Sequence, residues 1–228
     1  VRGLDLYSLT DGEWLFVGAG QPNGKNSRNV FIRRMNGDMR EYIMYLPLYD
    51  GVIDLAIGID STAVIEQPQV MDLVPSAQDL PIVFYGTSVT QGGCATRPGM
   101  AYPSIIGRKL HKETINLGFS GAAKGEDAIR SYIASLDMSV FVLDYDYNAA
   151  TVEDLKATHY NFYKTVRTAH PDLPIIIMTR PKHKSLLKPF EYGRLETATK
   201  TYENAIAAGD KNVYFIPGYE LMDAAGQD

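Results

Sequence analysis

The sequence predicts an α/β fold, in which a five-stranded, doubly wound parallel sheet follows a small antiparallel β-sandwich domain. Two observations lead to this prediction. Short apolar runs separated by turns fill residues 1–66 without a helical pattern, whereas five wholly apolar runs alternate with helix-length segments from residue 81 onward. We therefore expect a β-sandwich domain at 1–66, a linker at 67–80 and an α/β domain at 81–228.

The predicted sandwich rests on several short strands at close spacing, a pattern typical of small antiparallel domains. In the last of them Leu55, Ile57 and Ile59 alternate with smaller or polar residues, which is the period of a half-buried strand. The five predicted strands are Leu4–Tyr7, Trp14–Val17, Val30–Ile32, Tyr42–Leu46 and Val52–Ile59.

The predicted parallel sheet rests on runs that are apolar throughout, because parallel strands are usually buried on both faces. These runs are Ile82–Tyr85, Ile115–Leu117, Val140–Leu143, Ile175–Met178 and Val213–Ile216. Amphipathic helices are predicted between them, the clearest beginning at a capping box formed by Thr151 and Asp154. A later helix is predicted from the apolar positions Leu195, Ala198, Tyr202 and Ile206.

Composition excludes several classes of protein. The chain has 22 basic and 27 acidic side chains, for a net charge of -5, which disfavours a nucleic-acid-binding surface. No apolar run approaches the roughly 18 residues that span a bilayer. The single cysteine, Cys94, excludes an intrachain disulfide and a cysteine-based zinc site. We expect no cofactor and no metal, and the sequence does not predict an oligomeric state.

Three loops follow the first three parallel strands, at the sheet edge where ligands bind in doubly wound folds. The first contains Ser88, the second runs from Gly118 to Gly121, and the third ends at Asn148. A nucleophilic hydroxyl flanked by a glycine N–H and a side-chain amide is what acyl transfer requires, because the two donors stabilise charge on the carbonyl oxygen.

These residues resemble the SGNH (GDSL-like) hydrolase family from Pro81 onward. The family's first block matches Gly-Thr-Ser88, its second matches Asn116-Leu-Gly-Phe-Ser-Gly121, and its third supplies Asn148. The stretch Thr87–Tyr102 is similar to one branch of the family, in which a small β-sandwich precedes the hydrolase domain.

The resemblance implies a cofactor-independent Ser-His-Asp esterase that acts on an acyl ester, with acetylated carbohydrates as a substrate class. Ser88 would be the nucleophile, and the oxyanion donors would be the N–H groups of Ser88 and Gly121 and the side chain of Asn148. The expected partner is a small-molecule or glycan ester, and the implied location is secreted or periplasmic.

The chain departs from the family pattern in two places. The usual Gly-x-Asn-Asp is here Tyr145–Asn148, without the glycine, and no Asp-x-x-His pair follows the last strand. We therefore expect the catalytic Asp and His, with a final helix, to lie beyond residue 228. Of the four histidines only His183 follows a strand, so it is the candidate base if the chain contains one; the others are His111, His159 and His170.

Three further residues near the nucleophile loop, Gln91, Arg97 and Tyr102, are candidates for substrate contact. The main alternative function is a catalytically inactive carbohydrate-binding protein on the same fold. Two weaker alternatives are a flavodoxin-like flavin binder, whose phosphate would be held by the loop containing Ser88, and a phosphatase built on the two aspartates of Asp144-Tyr-Asp146.

Overall fold

The computed structural model describes residues 2–68 and 80–222, so most of the predicted linker and the last six residues lie outside the described part. The chain forms two compact units. The first, the N-terminal unit, combines residues 1–79 with 92–113, and the second, the sheet unit, combines 80–91 with 114–228.

Eight strands and five α-helices are found among the described residues. The strands are β1 (Leu4–Thr10), β2 (Glu13–Gly20), β3 (Tyr42–Tyr45), β4 (Ile82–Gly86), β5 (Thr114–Gly118), β6 (Val140–Asp144), β7 (Ile175–Met178) and β8 (Val213–Ile216). The helices are α1 (Ser88–Gln91), α2 (Tyr102–Leu110), α3 (Asp127–Ala134), α4 (Val152–Ala169) and α5 (Pro189–Ala207). Short 3-10 helices lie at Pro98–Met100, Lys184–Leu186 and Gly218–Glu220.

The N-terminal unit contains an antiparallel three-stranded sheet with β1 in the centre, in the order β2-β1-β3. A two-residue turn, Asp11-Gly12, joins β1 to β2, and both residues have positive φ, of 51° and 81°. Such turns match the twist of the strands that they join, and Asp-Gly is a favoured pair in them. The predicted antiparallel pairing is thus confirmed.

Two of the five predicted N-terminal strands are wrong. Residues 30–32 and 52–59 are not strands, so the described residues of the N-terminal unit form one three-stranded sheet rather than two facing sheets. In the second segment Leu55, Ile57 and Ile59 are all exposed. Alternation gives a segment an apolar face, but a strand also needs a hydrogen-bonded neighbour, which the pattern itself does not reveal.

A buried carboxylate on β1 binds the loop before α2. The side chain of Asp5 is fully buried, and its Oδ1 and Oδ2 accept hydrogen bonds from the N–H of Gly99 at 2.9 and 3.0 Å. Its Oδ2 also lies 3.4 Å from Nε of Arg97, whose guanidinium packs 4.0 Å from the ring centre of Phe16. A Cβ on Gly99 would lie 2.6 Å from both Asp5 and the ring of Tyr7, so this contact requires glycine.

Helix α2 packs on the same sheet through an arginine. The guanidinium of Arg108 lies 3.9 Å from the ring centre of Tyr7 and 5.1 Å from that of Tyr45. The Tyr45 hydroxyl donates to the carbonyl of Ser104 at 3.3 Å. Cation–π contacts and a buried carboxylate therefore hold the N-terminal unit together beside a small apolar core.

The sheet unit contains the predicted five-stranded parallel sheet, and the fold class is confirmed. Its strand order is β5-β4-β6-β7-β8, and every pairing is parallel. The chain passes from β4 to β5 on one side and then returns to β6 on the other, so β4 lies at the switch point of the topology. Ligands of doubly wound folds bind outside the carboxyl ends of the strands at such a point.

The core of the sheet unit consists of the apolar strand residues and the facing sides of the helices. Five members that are fully buried are Val83, Tyr85, Phe141, Ile175 and Ile177. The predicted capping box is confirmed, because the N–H of Asp154 donates to Oγ1 of Thr151 and the N–H of Thr151 donates back to the Asp154 carboxylate.

Helix α5 buries most of the predicted face and several polar residues beside it. Of the predicted apolar positions Ala198 is fully buried and Leu195 and Tyr202 are half-buried, whereas Ile206 is 46% exposed. The buried polar side chains are Glu191, Arg194, Thr197 and Thr201. No helix among residues 2–68 and 80–222 is long and apolar enough to cross a membrane.

Candidate active site

Hydrogen bonds tie together the three loops that follow β4, β5 and β6. In α1, Oε1 of Gln91 accepts a hydrogen bond from the N–H of Ser120 at 2.8 Å. From the loop after β6, Nδ2 of Asn148 donates to the carbonyl oxygen of Phe119 at 2.8 Å. The loop after β5 is therefore bonded on one side to the helix that begins at Ser88 and on the other to Asn148.

Ser88 is the first residue of α1 and is half-buried. The preceding residue, Thr87, caps the helix, because its Oγ1 accepts a hydrogen bond from the N–H of Val89 at 3.2 Å. The Ser88 hydroxyl makes no hydrogen bond within the described residues. A capping role, the non-catalytic interpretation of this serine, thus belongs to its neighbour.

Buried polar contacts fix α1 against the sheet. Oγ1 of Thr90 donates to the Asp144 carboxylate at 2.9 Å, and both side chains are buried. The carbonyl of Thr90 accepts from Nδ2 of Asn116, whose Oδ1 accepts from the N–H of Gly118, each at 2.9 Å. These contacts connect helix α1 to the ends of β5 and β6, which restricts where Ser88 can lie.

Two glycines allow the backbones to come this close. A Cβ on Gly118 would lie 2.6 Å from the Cα of Gln91, and a Cβ on Gly86 would lie 2.8 Å from the carbonyl oxygen of Asp144. Real Cβ atoms do not approach backbone this closely, so any other residue would push the loops apart. The sequence analysis placed these glycines and Thr90 in or beside the candidate loops but did not predict their packing role. The signal for the glycines was that each ends a strand directly before a candidate loop.

Gly121 and Asn148, the proposed oxyanion donors, lie in the second and third loops. Gly121 is exposed and has a φ of +70°, and a Cβ added to it would have no neighbour within 4 Å, so conformation rather than space favours glycine there. A side-chain amide has two N–H donors. One of those on Asn148 bonds to Phe119, and the second has no partner among residues 2–68 and 80–222.

Two of the histidines, those that precede strands in the sequence, have partners within their own units. Nδ1 of His111 accepts a hydrogen bond from Nε1 of Trp14 at 3.2 Å in the N-terminal unit. Nε2 of His170 bonds to the carbonyl oxygen of Ala134 at 2.9 Å in the sheet unit. Both histidines therefore have structural contacts, in agreement with their expected non-catalytic positions.

The other two histidines also bond elsewhere. His159 is fully buried and its Nδ1 bonds to Oγ1 of Thr201 at 2.8 Å; burial lowers its pKa to about 3, so the ring is neutral. Nδ1 of His183 lies 2.7 Å from Oγ of Ser185. No histidine is hydrogen-bonded to Ser88 in the part of the chain that the structure describes. The role of His183 as a base stays a prediction.

A buried carboxylate lies two residues before Asn148. Asp146 is 3% exposed, its Oδ2 accepts a hydrogen bond from the N–H of Arg180 at 3.3 Å, and burial raises its pKa to about 6. Nearby, the buried Glu191 of α5 pairs with Arg180 at 3.0 Å and with Lys182 at 2.8 Å. The end of β7 is thus fixed to both α5 and the loop that carries Asn148.

The three candidates for substrate contact fall in different units. Gln91 lies in the sheet unit, where its side chain holds the N–H of Ser120. Arg97 and Tyr102 lie in the N-terminal unit, and Arg97 pairs with Asp5 there. Arg97 therefore has a structural contact, and the substrate contacts proposed for all three residues stay predictions.

Residues 79–228 match the family model described as the GDSL-like lipase/acylhydrolase family. The chain belongs to this family. Residues 1–65 match a second model, GxDLY, described as the N-terminus of SGNH-hydrolase-type esterases. Its pattern occurs here as Gly3-Leu-Asp5-Leu-Tyr7, which includes the buried carboxylate of the N-terminal unit. The resemblance seen in the sequence is confirmed, although sequence reasoning did not single out this pattern.

Solved structures agree with the family. A protein described as a GDSL-like lipase from Bacteroides ovatus ATCC 8483 is 32% identical, with a TM-score of 0.86 over 99% of this chain and 66% of that one. A family two carbohydrate esterase from Clostridium thermocellum is 16% identical, with a TM-score of 0.66 over 94% of this chain and 75% of that one. The salicylyl-acyltransferase SsfX3 is 17% identical, with a TM-score of 0.66 over 95% and 61%.

The similarity to the Clostridium esterase and to SsfX3 shows only that these proteins share the fold. The chain spans 66% of the length of the Bacteroides protein. A comparison with curated proteins found no match.

Proposed function

We propose that this family member is a serine esterase that hydrolyses acyl esters, with acetyl esters of carbohydrates as its substrate class. Ser88 is the nucleophile, and the N–H groups of Ser88 and Gly121 with the Asn148 amide form the oxyanion hole. The observation that carries this proposal is the pair of hydrogen bonds by which the loop after β5 joins Gln91 and Asn148.

The chemistry follows from these groups. Oγ of Ser88 attacks the carbonyl carbon of the ester and loses its proton to a general base, while the carbonyl oxygen gains negative charge. The donors on Gly121 and Asn148 stabilise that charge more in the transition state than in the substrate. The intermediate then expels the alcohol, which takes up the proton, and water hydrolyses the acyl-serine to regenerate the enzyme.

No residue in the part of the chain that the structure describes is assigned as the general base. Each of the four histidines has a hydrogen-bond partner other than Ser88. The inactive carbohydrate-binding alternative differs from the esterase in one measurable respect. Only the esterase would hydrolyse an ester when the full-length gene product, hereafter the encoded protein, is assayed.

The substrate class draws on the comparisons. One relative of the same fold is a carbohydrate esterase whose structure contains cellohexaose, and another is an acyltransferase. Both names involve the transfer or hydrolysis of an acyl group, which agrees with a serine nucleophile and an oxyanion hole. A secreted or periplasmic location would suit a polysaccharide substrate and is part of the proposal.

Replacing Asn148 by alanine tests this proposal. We expect kcat for p-nitrophenyl acetate to fall about 10²–10³-fold in the encoded protein, with KM changed little, because one oxyanion donor is lost. Steady-state kinetics measure both constants. The alanine also removes the bond to Phe119, so circular dichroism and thermal melting of the same sample report whether the fold is kept.

The matched control is Asn161→Ala. Asn161 lies in α4, is exposed, and likewise donates from Nδ2 to a backbone carbonyl, that of Ala157, at 2.8 Å. Its loss should leave kcat within about threefold of the parent. Equal kcat values for the two variants would overturn the oxyanion role of Asn148, and no ester turnover by the encoded protein would favour the carbohydrate-binding alternative.

A further inference from the structure

A single arginine of α5, Arg194, hydrogen-bonds to the loop that carries Asn148 on both sides of that residue. Nη1 of Arg194 donates to the carbonyl oxygen of Asp146 at 2.6 Å, and Nη2 donates to that of Ala149 at 2.8 Å. Between these two carbonyls lie Tyr147 and Asn148. Arg194 is 7% exposed, so both hydrogen bonds are shielded from water.

The geometry of the guanidinium makes this pair of hydrogen bonds rigid. Its donors form a planar fork, so two carbonyls that it binds at once are held at a fixed separation. Asp146 and Ala149 are themselves buried, at 3% and 4% exposure. Without Arg194 two buried carbonyl groups would lose their donors, and the loop would have to move to find others.

Further contacts hold the first half of this loop. The N–H of Arg180 donates to the Asp146 carboxylate at 3.3 Å, and the guanidinium of Arg180 lies 3.8 Å from the ring centre of Tyr147. A turn closes between the N–H of Asn148 and the carbonyl of Tyr145 at 3.0 Å. Arg194 also reaches the residue after Asn148, so it limits rotation of the peptide units on both sides.

We propose that Arg194 is a positioning residue, which orients the Asn148 amide toward the carbonyl of Phe119 and the oxyanion position next to it. This inference rests on the proposed function, because it assigns Arg194 a role only if Asn148 acts as a donor. Arg194 touches neither substrate nor reacting atoms in this account. Its effect on turnover passes entirely through Asn148, and that property separates it from a residue that only stabilises the fold.

Kinetics of Arg194→Met, Asn148→Ala and the double variant test the proposal in the encoded protein. We expect Arg194→Met to lower kcat about 10²-fold with KM within about threefold, since a misplaced donor costs about that much. In the Asn148→Ala background the same change should lower kcat by less than about threefold, because the amide that it positions is gone. Arg194→Lys keeps the charge but lacks the planar fork that holds both carbonyls at a fixed separation, so it should give an intermediate kcat.

The control is Arg167→Met. Arg167 also donates to backbone carbonyls, those of His170, Pro171 and Asn212, but it does not contact the loop of Asn148. Its loss should affect thermal stability and leave kcat within about threefold of the parent. If Arg194→Met lowered kcat equally with and without Asn148, the positioning role would be wrong.

An NMR measurement gives a readout that does not depend on activity. The side-chain amide pair of Asn148, assigned by its loss in Asn148→Ala, should shift or broaden in Arg194→Met and stay unchanged in Arg167→Met. An unchanged pair in Arg194→Met would overturn the proposal. Full activity of Asn148→Ala, together with a shifted amide pair in Arg194→Met, would contradict the proposed function while leaving the structural link intact.

Discussion

Replacing Ser88 by alanine should abolish labelling by a fluorophosphonate and lower p-nitrophenyl acetate turnover of the encoded protein by at least about 10³-fold. The reason is that this hydroxyl is the only side-chain group proposed to form a bond to the acyl carbon. Mass spectrometry of the intact protein measures labelling, and steady-state kinetics measure turnover.

Ser120→Ala is the matched control for Ser88. Ser120 is an exposed serine in the neighbouring loop, and the structure uses its backbone N–H rather than its hydroxyl to bind Gln91. The control should label and turn over like the parent. Labelling that survives in Ser88→Ala and disappears in Ser120→Ala would move the nucleophile to the second loop and contradict the assignment.

Residues 1–228 alone should hydrolyse the same ester poorly. No general base is bonded to Ser88 among the described residues, and a serine without a base is a weak nucleophile. Full-level turnover by residues 1–228 that is lost in Ser88→Ala would show that the base lies within these residues, with His183 as the first candidate to replace.

Replacing Asp5 by alanine should lower the free energy of unfolding of the N-terminal unit by about 2–3 kcal/mol. The change leaves Arg97 without its buried partner and the N–H of Gly99 without an acceptor. Urea unfolding followed by the fluorescence of Trp14 measures this, because Trp14 is the single tryptophan and lies in β2 of the same unit.

Asp50→Ala provides the comparison for Asp5. Asp50 also pairs with an arginine, Arg2 at 3.8 Å, but both side chains are at least half exposed, so its loss should cost at most about 1 kcal/mol. Asp5→Ala with a loss as small as that of Asp50→Ala would contradict the anchoring role given to the buried carboxylate.

The sequence predicted the parallel sheet well because its strands are apolar on both faces, a property that each strand shows locally. The rule that sites form at the carboxyl ends of strands then selected the loops of Ser88, Gly121 and Asn148, which the structure links by hydrogen bonds. These loops lie at one edge of the sheet because its strands are parallel. The alternation of strands and helices along the sequence predicts that parallel arrangement.

The N-terminal unit was harder because its contacts are long-range. Asp5 and Gly99 are 94 positions apart, and nothing local marks either as a partner of the other. The segment 52–59 alternates like a strand yet has no neighbour to pair with among the described residues. The two hydrogen bonds from Arg194 to the loop of Asn148 were not predicted for the same reason. The predicted face of α5 was chosen from apolar residues, whereas polar residues fill part of the buried face.

The most direct test of the account is a crystal structure of the encoded protein after reaction with a phosphonate ester. We expect phosphorus bonded to Oγ of Ser88, with the phosphoryl oxygen about 2.7–3.1 Å from both the N–H of Gly121 and Nδ2 of Asn148. An adduct on another residue, or a phosphoryl oxygen turned to solvent with both donors further away than about 3.5 Å, would contradict an oxyanion hole built from these loops.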